Sequence, residues 1–165
     1  MLFDFLRRLT VMIVLCLAQV LVLNHVQLFH CATPLLYVYF AIIFPRNYPR
    51  WASLLWSFAL GLCIDMFANL PGVAAGSMTL VAFLQPYLLE LFLPRDAEEN
   101  IKCSAAALGF SNFATLTTIL VLVYCLVFFT LETFNFFNWL FWLECVGGSA
   151  MLTLVLIFTL ERLRK

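Results

Sequence analysis

Residues 57–87 read SFALGLCIDMFANLPGVAAGSMTLVAFLQPY, which predicts two apolar helices joined by a turn at residues 69–72. The first helix carries a carboxylate, Asp65, one turn after Gly61. A charged side chain inside lipid is energetically expensive, so we expect Asp65 to have polar partners. Small residues allow helix backbones to approach closely, and they open the second helix. These small residues are Gly72, Ala74, Ala75, Gly76 and Ser77.

The composition of the whole chain indicates a membrane protein. Of its 165 residues, 65% are hydrophobic and only 11% are charged, whereas soluble domains are about 45–50% apolar and about 25% charged. A soluble domain of this size leaves much of its surface in water and could not cover so much apolar surface. We therefore predict a single integral membrane domain over residues 1–165. The formal net charge of zero argues against a nucleic-acid binder.

Apolar runs along the chain predict an all-α polytopic fold with six transmembrane helices. A spanning helix needs about 20 largely apolar residues. The predicted spans cover about residues 9–24, 28–44, 51–68, 72–92, 104–131 and 140–160. The second span is short and contains Pro34. Its inclusion depends on the distribution of charge.

Basic side chains set the predicted orientation. With six spans, all nine basic residues fall on one side of the membrane, and the positive-inside rule makes that side cytoplasmic. Both termini are then cytoplasmic as well. The nine are Arg7, Arg8, Arg46, Arg50, Arg95, Lys102, Arg162, Arg164 and Lys165. Arg46, Arg50, Arg95 and Lys102 lie in the predicted cytoplasmic loops and are candidates for contact with a partner protein or anionic headgroups. Anchoring of the topology alone is the alternative.

Asp65 has two interpretations. In the structural one, it accepts hydrogen bonds from backbone groups or from polar side chains such as Asn69 or Ser77, and fixes the hairpin turn. In the other, Asp65 and Glu144 join His25 and His30 in a metal site or proton relay. No H-x-x-x-H, H-E-x-x-H or clustered carboxylate pattern supports that site, and no metal is predicted.

Pairs of small residues are candidates for close helix contacts. Gly72-x-x-x-Gly76 has the required spacing, and Gly147-Gly148 follows Glu144 in the last span. These residues could pack the bundle internally or face a partner helix, and the sequence leaves both open. The six cysteines contain no C-x-x-C pair and are interpreted as packing residues. Enzyme signatures are missing from the sequence, so neither catalysis nor a cofactor is predicted.

Over its whole length the chain resembles the bacterial rod shape-determining MreD family. The matching features are the length, the six predicted spans, and the hairpin with Gly61, Asp65, a short turn and Gly72 before small residues. The aromatic-rich composition and the loop PRNYPR at residues 45–50 resemble members from Bacteroidetes. The resemblance implies a non-enzymatic scaffold of the peptidoglycan elongation machinery in the bacterial inner membrane. Its implied partners are the bitopic protein MreC and, indirectly, the MreB filament and the RodA–transpeptidase synthase.

The same family is similar in fold to the vitamin-binding subunits (S-components) of energy-coupling-factor transporters. This likeness supplies an alternative function, a small-molecule carrier with an outward cavity. A carrier should place polar and aromatic groups around such a cavity. The candidates for its lining are Asp65, Glu144, His25, His30, Asn69 and Trp139. A scaffold should instead offer a face suited to one foreign helix.

Overall fold

A computed structural model describes residues 2–22, 33–93, 108–133 and 138–163. Within these ranges all regular secondary structure is helical. The helices are α1 (Leu2–Leu21), α2 (Val38–Ile42), α3 (Arg50–Ala68), α4 (Val73–Phe92), α5 (Phe110–Glu132) and α6 (Trp139–Leu163). The predicted all-α class is confirmed for the described residues.

Four of the helices, α3 to α6, are long and apolar enough to cross a membrane. Their bounds follow the predicted spans 51–68, 72–92, 104–131 and 140–160 closely, although residues 104–107 lie outside the described residues. Helix α1 begins at Leu2, seven residues before the predicted start of the first span, and its first turns carry Asp4, Arg7 and Arg8. Three charges in two turns make α1 less apolar than the other long helices, so composition alone does not qualify it as a span.

The helix predicted over residues 28–44 is interrupted in its described part. Residues 33–37 are not helical, and only the five residues Val38–Ile42 form a helix. Five residues rise about 7.5 Å, far less than the thickness of a bilayer. The whole of Val38–Ile42 is buried among the longer helices. The chain therefore has a short buried helix where the sequence predicted a membrane-spanning helix.

Residues 33–42, which we call the inner segment, are held by polar side chains from helices distant in sequence. The Gln19 side chain of α1 donates to the Pro34 carbonyl (2.9 Å) and accepts from the Leu36 N–H (3.2 Å). From α6, Thr153 accepts from the Leu35 N–H at 3.0 Å. Lipid offers no hydrogen bonds to backbone, so non-helical backbone is tolerated there only inside protein. These three hydrogen bonds give the non-helical backbone partners inside the protein, so it does not depend on a helix of its own.

The described basic residues gather at one end of the bundle. Arg8 of α1 lies over the ring of Tyr48, and Arg50, at the start of α3, lies over Tyr87 near the end of α4. Tyr39, which lines the same cavity as Arg8, donates to Glu161, the neighbour of Arg162. Asp65, Glu132 and the start of α6 lie toward the other end. We call these the basic end and the hairpin end.

Candidate functional site

The hairpin between α3 and α4 is fixed by Asp65. Its Oδ1 accepts the Ala74 N–H at 2.8 Å and its Oδ2 accepts the Ala75 N–H at 2.9 Å. Both donors belong to the first turn of α4, where N–H groups lack partners within the helix and the helix dipole favours a negative charge. Asp65 is 4% exposed. The carboxylate thus replaces a side-chain cap that Gly72, the residue before α4, cannot supply.

This geometry agrees with the structural interpretation of Asp65 in its backbone form, since both donors are main-chain N–H groups. Neither Asn69 nor Ser77 donates to the carboxylate. Asn69 ends α3 in the left-handed conformation with φ of 57°, and Ser77 donates to the Val73 carbonyl of its own helix at 2.7 Å. The sequence could not distinguish the backbone donors, because every residue of the turn except Pro71 has an N–H group and the small residues of α4 look alike.

At Gly61 the helices α3 and α4 approach each other closely. A Cβ atom at residue 61 would lie 2.4 Å from the Ala75 Cα and 2.7 Å from the Ala75 nitrogen. No side chain fits there, so glycine is required for α4 to come within reach of Asp65. Gly61 is therefore a position of close helix packing within the chain.

Gly72 and Gly76 have different roles from each other. Gly72 adopts φ of +85° in the turn, a conformation that other residues rarely accept. A Cβ at Gly76 would meet only the Leu131 side chain at 3.9 Å, and Gly76 is exposed. The small-x-x-x-small pair therefore does not form one tight internal contact, and the close approach belongs to Gly61.

A cavity of about 450 Å³ lies beside Asp65 at the hairpin end. Segment 33–37, α1, α3, α4 and the end of α5 contribute its walls. Its polar lining residues are Gln19, Thr33, Tyr37, Asp65 and Glu132. The volume lies in the range of about 300–1,000 Å³ found for ligand pockets. A small molecule would therefore fit by size.

Most polar groups of this cavity are already engaged with the protein. Both oxygens of Asp65 accept backbone N–H groups, and Gln19 is bonded at both its amide nitrogen and its oxygen. The Tyr37 hydroxyl pairs with that of Tyr124. Glu132 is the carboxylate of the lining without a hydrogen-bond or ion-pair partner among the described residues. The cavity thus offers few groups for recognising a polar ligand.

The lining differs from the predicted outward cavity. Asp65 is part of it, but Glu144, Asn69 and Trp139 are not. His25 and His30 lie outside the described residues, as do Arg95 and Lys102. Glu132 and Gln19 were missed in the sequence because each lies in or next to an apolar helix whose orientation the sequence leaves open.

Helix α6 has one face inside the bundle and one outside. Its buried positions include Ser149 and Thr153, which bond the inner segment. On the opposite face lie exposed residues at helical spacing, with Glu144 and Gly147 among apolar side chains. This outer α6 face comprises Leu140, Glu144, Gly147, Met151 and Val155.

Glu144 is exposed on this face, and it has no hydrogen-bond or ion-pair partner within the parts of the chain that the structure describes. A Cβ at Gly147 would meet no atom within 4 Å. The sequence singled out both residues together with Gly148, which is half-buried. Gly147 therefore makes no packing contact with the described residues. The Glu144 carboxylate and Gly147, which has no side chain, are therefore neighbours on the outer face of α6, a helix long enough to span a membrane.

Comparison of the chain with protein-family models, with curated proteins and with solved structures gives no match.

Proposed function

We propose that the chain is a non-enzymatic membrane scaffold of the MreD kind, which captures the single membrane helix of an MreC-like bitopic partner. In this proposal it is a multi-pass protein of the bacterial inner membrane, with both termini in the cytoplasm. Through its partner it links the MreB filament to the RodA–transpeptidase synthase and helps to maintain rod shape. The sequence resemblance is one support, and the outer α6 face is the other.

The observation that carries the proposal is the exposed pair of Glu144 and Gly147. An ionisable side chain on the lipid-facing side of a spanning helix is expensive unless it finds a polar partner. No such partner exists among the described residues. A bare glycine one turn away lets a foreign backbone come close. Together they fit a helix that brings a hydrogen-bond donor or a cation opposite Glu144.

Apolar exposure alone would not support a docking face. Met66 is 81% exposed and Leu91 is 75% exposed on other helices, because lipid solvates apolar side chains on every side of a membrane bundle. The outer α6 face differs from these surfaces because it combines a carboxylate, Glu144, with a residue that has no side chain, Gly147. The occupant is therefore identified by complementarity to a carboxylate.

Replacement of Gly147 tests this proposal. Gly147→Leu should abolish co-purification of a single-pass membrane protein from the native membrane in mild detergent, because the leucine fills the space for the partner backbone. Gly76→Leu is the matched control, since Gly76 is an exposed glycine on another helix. Equal capture by both variants and the wild type would refute the α6 docking face.

The second candidate function is a vitamin-binding subunit of an energy-coupling-factor-type transporter. The cavity of about 450 Å³ beside Asp65 is the observation in its favour. Mass spectrometry of the same purified protein decides between the two. A stoichiometric small molecule that is lost from a Glu132→Gln variant would support the carrier, whereas a protein partner without a metabolite supports the scaffold.

A further inference from the structure

A second cavity, of about 310 Å³, lies at the basic end of the bundle. Helix α1 forms one wall, and the buried α2 segment with its following residues forms the other. Its outer part carries Asp4, Arg7 and Arg8, while Val11 and Ile43 are among its apolar lining. The cavity therefore combines charge at its mouth with an apolar interior.

Arg8 is held in place by two aromatic rings. Its guanidinium carbon lies 3.9 Å from the ring centroid of Tyr48 and 5.3 Å from that of Phe44. A cation–π contact of this kind uses none of the five guanidinium N–H groups as a conventional hydrogen-bond donor. Arg8 is half-buried, and neither it nor Arg7 forms an ion pair with another described residue. A preorganised guanidinium is well suited to a phosphate, which it can bind through two parallel hydrogen bonds.

A buried carboxylate, Glu161, is bonded to a lining residue but is not itself part of the lining. Glu161 is 8% exposed and accepts a hydrogen bond from the Tyr39 hydroxyl at 2.6 Å. Tyr39 lines the cavity, while Glu161 does not. The charged residues of the lining are one carboxylate, Asp4, and two cations, Arg7 and Arg8. The lining thus keeps a net positive charge.

The size of the cavity limits what it can hold. At about 310 Å³ it is at the small end of ligand pockets, too small for a whole phospholipid. It can take a phosphate group and the first part of an attached chain, with the remaining chain lying against the apolar exterior of α1. Ile13, Val14 and Leu17 are exposed there. Basic pockets between membrane helices are a recurrent form of headgroup site.

We propose that this cavity binds the phosphate of an anionic phospholipid from the surrounding bilayer, with Arg8 as the fixed ligand and Arg7 as a second cation at the mouth. The proposal does not depend on the scaffold function. It requires only that α1 stands in or against a membrane beside the four apolar helices.

The test uses the full chain purified in detergent and delipidated, with dioleoylphosphatidylglycerol added and native mass spectrometry as the readout. The wild type should retain one molecule of this lipid, and Arg7→Gln and Arg8→Gln should each lower its retention by about tenfold, since a hydrogen bond between charged groups is lost. Arg50→Gln is the control. Arg50 also lies over an aromatic ring, that of Tyr87 at 5.2 Å, but is outside the cavity lining.

Two further arms identify the source of the phosphate. Dioleoylphosphatidylcholine should be retained at least several-fold less, because its headgroup has no net charge. Inorganic phosphate at millimolar concentration should leave the retained lipid in place. Arg7→Gln guards against misfolding, because Arg7 is exposed and its loss should not disturb the bundle.

Equal retention of the two lipids would overturn the proposal, as would displacement of the lipid by inorganic phosphate. Loss of retention in Arg50→Gln as large as that in Arg8→Gln would also overturn it, because the effect would then be general to the basic end. Unchanged retention in Arg7→Gln and Arg8→Gln would do the same.

Discussion

Gly61 and Asp65 act together one helical turn apart. The missing side chain at Gly61 lets α4 approach, and the approach brings the Ala74 and Ala75 N–H groups to Asp65. The sequence predicted that small residues would let the helices approach closely and bring packing partners to the carboxylate. It could not predict which N–H groups donate, since that choice depends on how far α4 is displaced along α3.

The close contact at Gly61 predicts that Gly61→Ala destabilises the protein. The added Cβ would lie 2.4 Å from the Ala75 backbone, and overpacking of this kind costs about 1–3 kcal/mol of unfolding free energy. Gly76→Ala is the control and should be close to neutral, because its Cβ meets only one side-chain atom at 3.9 Å. Thermal unfolding in detergent, with size-exclusion chromatography as the readout, measures the stability of both variants. Equal stability of the two variants would contradict the close approach.

Asp65→Ala should also destabilise the hairpin. It leaves two N–H groups of α4 without acceptors, and the loss of a helix cap alone costs about 0.5–2 kcal/mol. Asp65→Asn should recover part of the loss, because it keeps one acceptor oxygen. The same unfolding assay applies. If Asp65→Ala unfolds at the wild-type temperature, the carboxylate does not fix the turn.

Among the elements, the five long helices were within reach of the sequence and the inner segment was not. Apolar length identifies a spanning helix because the backbone satisfies itself. Segment 33–37 instead depends on side chains that are 116 and 118 residues away in α6, as in the Thr33–Ser149 and Leu35–Thr153 bonds. The sequence of residues 28–44 contains no pattern that would indicate these distant partners.

The inner segment makes Gln19 a structural residue of α1. Gln19→Leu should destabilise the fold by roughly 1–3 kcal/mol or more, because the Pro34 carbonyl and the Leu36 N–H would lose their partner while buried. Thr10→Val serves as the control. Thr10 donates only to the Leu6 carbonyl of its own helix on an exposed face. A loss in Gln19→Leu no greater than that in Thr10→Val would refute the bracing role.

For the whole molecule, the arrangement of charge agrees with the sequence as far as the described residues extend. Arg7, Arg8, Arg46, Arg50 and Arg162 gather at the basic end, and the acidic groups of the hairpin end lie opposite. Between residues 33 and 45 the chain runs from the cavity beside Asp65 to the cavity beside Arg8. It thereby connects the hairpin end to the basic end. The assignment of the basic end to the cytoplasm belongs to the proposed function. The docking of a partner helix on the outer α6 face belongs to it as well. Sequence patterns identify Glu144 and Gly147, but only packing tells which way they face.

Site-specific photo-crosslinking in the native membrane tests the scaffold function most directly. A photoreactive residue is placed at Met151 on the outer α6 face, and in a second variant at Met66 on α3. Both methionines are exposed, by 67% and 81% respectively. We expect position 151 to give an adduct with one single-pass membrane protein and position 66 to give none with it. Adducts of that protein at both positions alike, or at neither, would contradict the docking of a partner helix on α6.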